Sequence, residues 1–265
     1  MRPLPRWLLP AGCVALTLAI WQALTATGVL SRREFPTATD TLATLGEIAL
    51  TPHYWSSVFA TLQAWLWGMV IASALAIIIG CILALNDFAA HSVAGVIEIF
   101  KAIPAIAVLP LVILVLGSTL QMKVFLIVFA AFWPLVIQVI YGVRSVDPVA
   151  LDTARSLGVR RMLRFAVVTL PGASPFIATG LRIAAATALI LSIVSELVGG
   201  ADGIGRNILQ AQNGGSLSYP TMYAYIITAG LLGLVVTGAF TLLERRLLSW
   251  HESIRAAHAV SGADA

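Results

Sequence analysis

Charged side chains are scarce in this 265-residue chain, at 11% of its residues. A soluble domain carries about 25%, so an ordinary water-facing surface is excluded. Cysteine is nearly absent. Cys13 and Cys81 each sit in an apolar run, which excludes a disulfide framework and reads as small buried side chains. His53, His91, His251 and His258 have no ligating neighbours at a useful spacing, so no metal site is expected and the imidazoles are assigned to solvated surface. The only lysines, Lys101 and Lys123, follow no Gly-x-x-x-x-Gly-Lys loop, so the chain is not expected to hydrolyse ATP. Gly203 and Gly205 form a Gly-x-Gly without the third glycine or the preceding strand of a dinucleotide site. No internal repeat and no low-complexity segment occurs.

What is present is hydrocarbon. Hydrophobic residues make up 59% of the chain and its mean hydropathy is +0.94. These values predict an all-α, polytopic membrane protein forming one transmembrane domain over residues 1–265. A crossing needs about 20 mostly apolar residues, and six runs qualify: 7–27, 58–85, 92–117, 124–143, 176–198 and 222–243. The third holds Pro104 and Pro110, which predict a kinked or tilted helix. Trp55, Trp65, Trp67 and Trp250 suit interfacial belts or lipid contact. Between the first two runs, FPTATDTLATLGEIAL predicts a surface helix capped by Thr39 or Asp40, with Leu42, Leu45, Ile48 and Ala49 as its apolar stripe. Ala184, Ala185, Ala186 and Ala188 permit close helix packing on the fifth run.

Basic residues flank the apolar runs, and this argues against nucleic acid as a partner. With both termini in the cytoplasm, twelve of the sixteen lysines and arginines lie inside. These are Arg2, Arg6, Lys101, Arg144, Arg155, Arg160, Arg161, Arg164, Arg182, Arg245, Arg246 and Arg255. Arg32, Arg33, Lys123 and Arg206 lie outside. The positive-inside rule selects that orientation. The first run is read as an uncleaved anchor.

Residues 144–175, between the fourth and fifth runs, are unusually polar for this chain. Asp147-Pro148 starts a helix, Gly158 follows its last apolar position, and a second helix is expected from Val159 until Pro171 stops it. Each helix is too short to stand alone in water, so the pair must pack against lipid headgroups or a partner protein. Asp152-Thr153-Ala154, then Gly158, then Val168-Thr169-Leu170-Pro171 resembles the EAA loop of permease subunits from binding-protein-dependent ABC importers. The spacing of that motif is kept throughout, with Asp for Glu, Thr for Ala and Val for Ile. FPTATDTLATL, FKAIPAIAVLPLVILVLG and SELVGGADGIG resemble the branch that imports sulfonates, taurine, nitrate or bicarbonate.

The resemblance implies a type I (MetI-like) permease fold in a bacterial inner membrane. It implies a non-catalytic subunit with no cofactor of its own, in which Asp152, Thr153, Ala154, Arg155, Gly158, Leu170 and Pro171 form the loop coupled to an ATPase. Implied partners are a second permease copy, two cytoplasmic ATPases that bind ATP and magnesium, and a periplasmic or lipid-anchored solute-binding protein. The resemblance fixes neither the solute nor its binding residues.

Other charged positions allow further readings. Glu98 and Lys101, three apart, share a helical face as an interfacial pair or part of an inner gate. Arg182 and Glu196 stand roughly 21 Å apart along one helix and cannot pair with each other. Arg182 is expected to snorkel. Glu196 opens GGADGIGRNILQAQNGG, where Glu196, Gly203, Gly205 and Asn207 are candidates for an outer gate or a binding-protein contact, or else belong to a plain connector. Ion-coupled secondary transport is the alternative, weakened by the lack of a central acid in the spans. An intramembrane enzyme would need a Ser-His pair, paired aspartates or a zinc cluster in a span, and none is found.

Overall fold

The computed structural model describes residues 8–31 and 33–247. Arg2, Arg6, Arg32, Trp250, His251, Arg255 and His258 lie outside the described residues. In chain order the helices are α1 (Leu8–Ala26), α2 (Ala38–Ala49), α3 (Pro52–Ala84), α4 (Asp87–Ala102), α5 (Ala105–Leu116), α6 (Leu120–Arg144), α7 (Pro148–Ser156), α8 (Arg161–Arg164), α9 (Leu170–Gly199), α10 (Ile204–Asn213) and α11 (Tyr219–Leu247). A π turn, Phe165–Thr169, joins α8 to α9, and a 3-10 turn, Ser216–Ser218, precedes α11.

Among the described residues, α3, α6 and the runs containing α9 and α11 are long and apolar enough to cross a membrane. The third expected crossing is α4 with α5, bent by 85° at Ile103–Pro104. The shorter apolar α1 stands where the first was expected. The helix starts follow local chemistry. Thr51 Oγ1 caps the Tyr54 amide before α3, Asn86 caps Ala89 before α4, and Thr119 caps Met122 before α6. Pro52 and Pro148 sit in first turns, where a missing N–H costs nothing.

The centre of the bundle is α3, α6 and α9, packed through Ala72, Ala76, Ala131, Ala184, Ala185 and Ala188. Without a hydrophobic drive between helices in lipid, such contacts rest on close dispersion packing. Glycines permit the closest approach: a methyl at Gly80 would stand 2.7 Å from Val139 Cγ1.

Several expectations are corrected. Thr37, not Thr39 or Asp40, caps α2 through the Asp40 amide. Leu45, Ile48 and Ala49 turn inward against Tyr54, Ile204 and Tyr225, whereas Leu42 is exposed. The α2 stripe is thus used for protein packing, because α11 and the start of α3 offer it an apolar wall. Trp65 is not interfacial, since its indole N–H donates to the Ala185 carbonyl inside the bundle at 3.0 Å. Cys13 is exposed rather than buried, whereas Cys81 is half-buried and packs against the central core. Arg182 does not snorkel freely but pairs with Glu244 of α11 at 3.1 Å.

Gly80→Val inserts bulk where Val139 and the Val136 carbonyl leave no room. Overpacking of this kind costs about 1–3 kcal/mol, and a lowered melting temperature of the detergent-purified chain checks it.

Candidate functional site

Two features stand out, at opposite ends of α9. The first is the polar elbow. Asp147 Oδ1 accepts from the Val149 amide at 2.9 Å and starts α7. Gly158 then takes φ +73°, the left-handed region that favours glycine. The Gly158 amide donates to the Arg155 carbonyl and the Val159 amide to the Ala154 carbonyl, each at 3.0 Å. This is the double bond pattern of a Schellman stop. Nothing lies within 4 Å of where a Gly158 side chain would begin, so its constraint is conformational, not spatial.

The second elbow helix differs from expectation. Pro171 does not end it. After α8 the backbone widens into the π turn, with the Leu170 amide reaching back to the Phe165 carbonyl, and runs straight into α9. A proline lacks the N–H for the ladder and crowds the carbonyl four residues back. The wide turn accommodates Pro171 in the first turn of α9 without a break. From Arg161 to Gly199 the chain is therefore one continuous helical rod, roughly 58 Å long at 1.5 Å per residue.

The elbow presents Asp152 and Arg155, joined at 3.1 Å and both exposed. Around them Val149, Leu157 and Met162 are also exposed, Met162 at 82%. Ala154 is buried, Thr153 donates back to the Val149 carbonyl, and Leu170 is exposed. Asp152, Thr153, Ala154, Arg155 and Gly158 thus lie on one short hairpin, whereas Leu170 and Pro171 belong to the rod.

The second feature is a buried ion pair at the far end of the rod. Lys123 Nζ of α6 donates to Glu196 Oε1 of α9 at 2.9 Å, with side-chain exposures of 3% and 0%. The ammonium's other donors go to the Ala60 carbonyl at 3.0 Å and the Asp202 carbonyl at 2.7 Å. Glu196 Oε2 accepts from Thr61 Oγ1 and from the Gly205 amide, each at 3.0 Å. Thr61 Oγ1 in turn accepts from the Ile204 amide at the start of α10. Ser192 Oγ donates to the Thr61 carbonyl at 3.2 Å. All three ammonium protons and both carboxylate oxygens have partners, the condition under which a buried pair is tolerated.

Gly203 makes room for this carboxylate, and Gly205 for the close approach of α10 to α9. A side chain at Gly203 would meet Glu196 Cδ at 2.1 Å, and one at Gly205 would meet the Ile193 carbonyl at 2.2 Å. Asn207 extends the network, donating to Ser57 Oγ at 2.6 Å and placing Oδ1 3.1 Å from His53 Nε2. Beside it opens a polar cavity of about 440 Å³, lined by His53, Ser56, Asp202, Arg206 and Asn207. Arg206 is held by Asp202 one turn before it.

The structure therefore brings Glu196, Gly203, Gly205 and Asn207 together, but with the Glu196 carboxylate sealed from solvent. Lys123, expected at an outer surface, is its buried partner. Sequence reasoning missed Lys123, Thr61 and Ser192. The available signal was one lone cation and one lone acid, each at the same end of a long apolar run.

Residues 72–249 match the family described as binding-protein-dependent transport system inner membrane component. The chain is 33% identical over 240 residues to a probable ABC transporter permease protein of Brucella abortus, covering 90% of this chain and 93% of that one. It is 28% identical over 252 residues to the taurine transport system permease protein TauC of Escherichia coli, covering 93% and 91%. It is also 28% identical over 239 residues to the putative aliphatic sulfonates transport permease protein SsuC of Bacillus subtilis, covering 90% and 86%. A structure of the MetNI methionine ABC transporter in an inward-facing conformation superposes with TM-score 0.64 at 20% identity, over 73% of this chain and 95% of that one, which shows the shared fold. The chain belongs to the family of binding-protein-dependent transport system inner membrane components, the permease components of ABC transporters.

Removing one member of a buried pair leaves an uncompensated charge, at a cost of about 3–5 kcal/mol. Lys123→Met or Glu196→Met should each lower the unfolding temperature steeply, and the double variant should recover much of the loss. A double-mutant cycle on the detergent-solubilised chain measures the coupling.

Proposed function

We propose that this chain forms the translocation pathway for a small oxyanion, a sulfonate or taurine in the first place, and that its elbow receives force from a cytoplasmic ATPase. One observation carries the reading: the exposed elbow is the end of an unbroken helical rod whose other end holds the buried ion pair. A push on α7 and α8 moves α9 as a body, and α9 carries Glu196 and with it the start of α10. No nucleotide-binding loop occurs in the chain, so the energy comes from a partner that binds ATP and magnesium.

The elbow's exposed Leu157 and Met162 give that partner an apolar contact, and Asp152 with Arg155 gives it polarity and orientation. Anionic headgroups alone would not call for the acid. The elbow is placed in the cytoplasm with both termini, as the basic residues favour. The polar cavity beside α10 then faces the extracytoplasmic binding protein. A second copy of the chain completes the pathway, because the tight contacts among α3, α6 and α9 leave no channel through their centre.

Gly158→Val tests the lever. Strain at a left-handed position costs about 1–3 kcal/mol, enough to distort the elbow while leaving the spans inserted. The variant should reach the membrane in normal amount, lose the co-purifying ATPase and lose nucleotide-dependent solute uptake in reconstituted vesicles. Normal uptake with the ATPase still bound would refute the coupling role.

A further inference from the structure

The short helix α10 has the flanks of a hinged lid. Gly200 and Gly215 on either side of it take φ +70° and +77°, and Gly203 at its start takes +152°. No described residue places an atom within 4 Å of where a side chain at Gly200 or Gly215 would begin. Such joints turn easily, because glycine enters the left-handed region at no steric cost. The packing beneath α10 would also let it slide. Ile204 and Ile208 rest on Tyr54, Val58 and Tyr225, and apolar contact is non-directional.

What holds the helix is polar and comes from α3, α6 and α9. Glu196 of α9 accepts from the Gly205 amide and Thr61 of α3 from the Ile204 amide, so the first turn of α10 is capped from outside. The carboxylate also stands at the positive end of the α10 dipole. Lys123 of α6 donates to Glu196 and to the Asp202 carbonyl just before the helix. One turn on, Asn207 donates to Ser57 of α3. The side chains of Glu196, Thr61, Lys123, Asn207 and Ser57 are all buried. A swing of α10 would strand several of them without partners in a low-dielectric interior, where each loss is costly.

Building on the importer reading, which supplies the motor, we infer that Lys123, Thr61 and Glu196 are positioning residues that lock α10 to α3, α6 and α9. The lock converts a would-be lid into a fixed shelf. The polar cavity beside α10 keeps its shape while the elbow moves, and it travels with the rod instead of opening and closing. Displacement at the elbow reaches that cavity undiminished, because no free joint lies between them to absorb it.

The test uses the assembled transporter, purified through a tag on this chain and reconstituted in lipid, with Cys13 and Cys81 replaced by alanine. Gln212→Cys on α10 and Tyr141→Cys near the far end of α6, both exposed positions, carry nitroxide labels. Labelled chains are diluted with unlabelled ones, so pulsed electron resonance reads the distance within one chain. It should give a single narrow peak that shifts by less than about 2 Å when ATP and vanadate trap the motor, as in a pre-organised interface. Lys123→Met with Glu196→Met should broaden that peak and cut the solute taken up per ATP hydrolysed by about tenfold, within the usual range of a coupling free energy. A purely structural defect would lower the amount of transporter and not that ratio. If the double variant does not assemble, Thr61→Val, which removes one hydroxyl and keeps the shape, should move both readouts the same way by less. A shift beyond about 2 Å in the labelled protein without these substitutions would make α10 a gate and overturn the lock. So would an assembled variant that leaves either readout untouched. If the transporter took up no solute on ATP, the importer reading would fall, and the resting peak widths with and without the substitutions would still decide the lock.

Discussion

A lipid bilayer offers no water to answer a stray charge or an open peptide group, and most of this architecture follows from that demand. The Lys123–Glu196 pair meets it most completely. It draws on four helices, with Ala60 and Thr61 from α3, Lys123 from α6, Ser192 and Glu196 from α9, and the first amides of α10. Gly203 leaves the carboxylate room, and Gly205 lets the start of α10 lie against the backbone of α9. Each element could pack against the others by dispersion alone, but only one register satisfies every donor and acceptor. The pair therefore specifies the arrangement of the bundle at this end more sharply than the alanine and glycine contacts below it.

The rod from Arg161 to Gly199 connects this well-determined end to a weakly supported one. The elbow buries little and keeps its shape by a cap, a Schellman stop and a π turn, all local devices. A hairpin so lightly tied to its own chain is suited to being held by another. Its exposed leucine and methionine would otherwise be an oddity on a polar loop.

Much of this was legible in the residues. Apolar run length located the four long helices and the bent pair α4–α5, and Asp147-Pro148 and Gly158 marked the elbow, because caps and left-handed stops are local chemistry. The spacing of Glu98 and Lys101 foretold their pairing for the same reason. What escaped was non-local. Lys123 finds Glu196 across 73 positions, and Arg182 finds Glu244 across another helix pair. Periodicity carries no record of such partners. Pro171 misled for a different cause: a stop signal in water becomes a π turn when tertiary packing holds both flanks helical. Trp65 and the α2 stripe were assigned to lipid because one sequence does not say which apolar face meets protein.

The long separation between Lys123 and Glu196 has a consequence for biogenesis. Ribosomes add roughly 5–20 residues per second, so the lysine emerges several seconds before its carboxylate exists. During that interval α6 carries a cation with no counterion, and its ammonium must be held at the headgroups or by an insertion factor. The fourth crossing can settle to its final depth only once the fifth has been made, which turns two separate insertion events into a single concerted one.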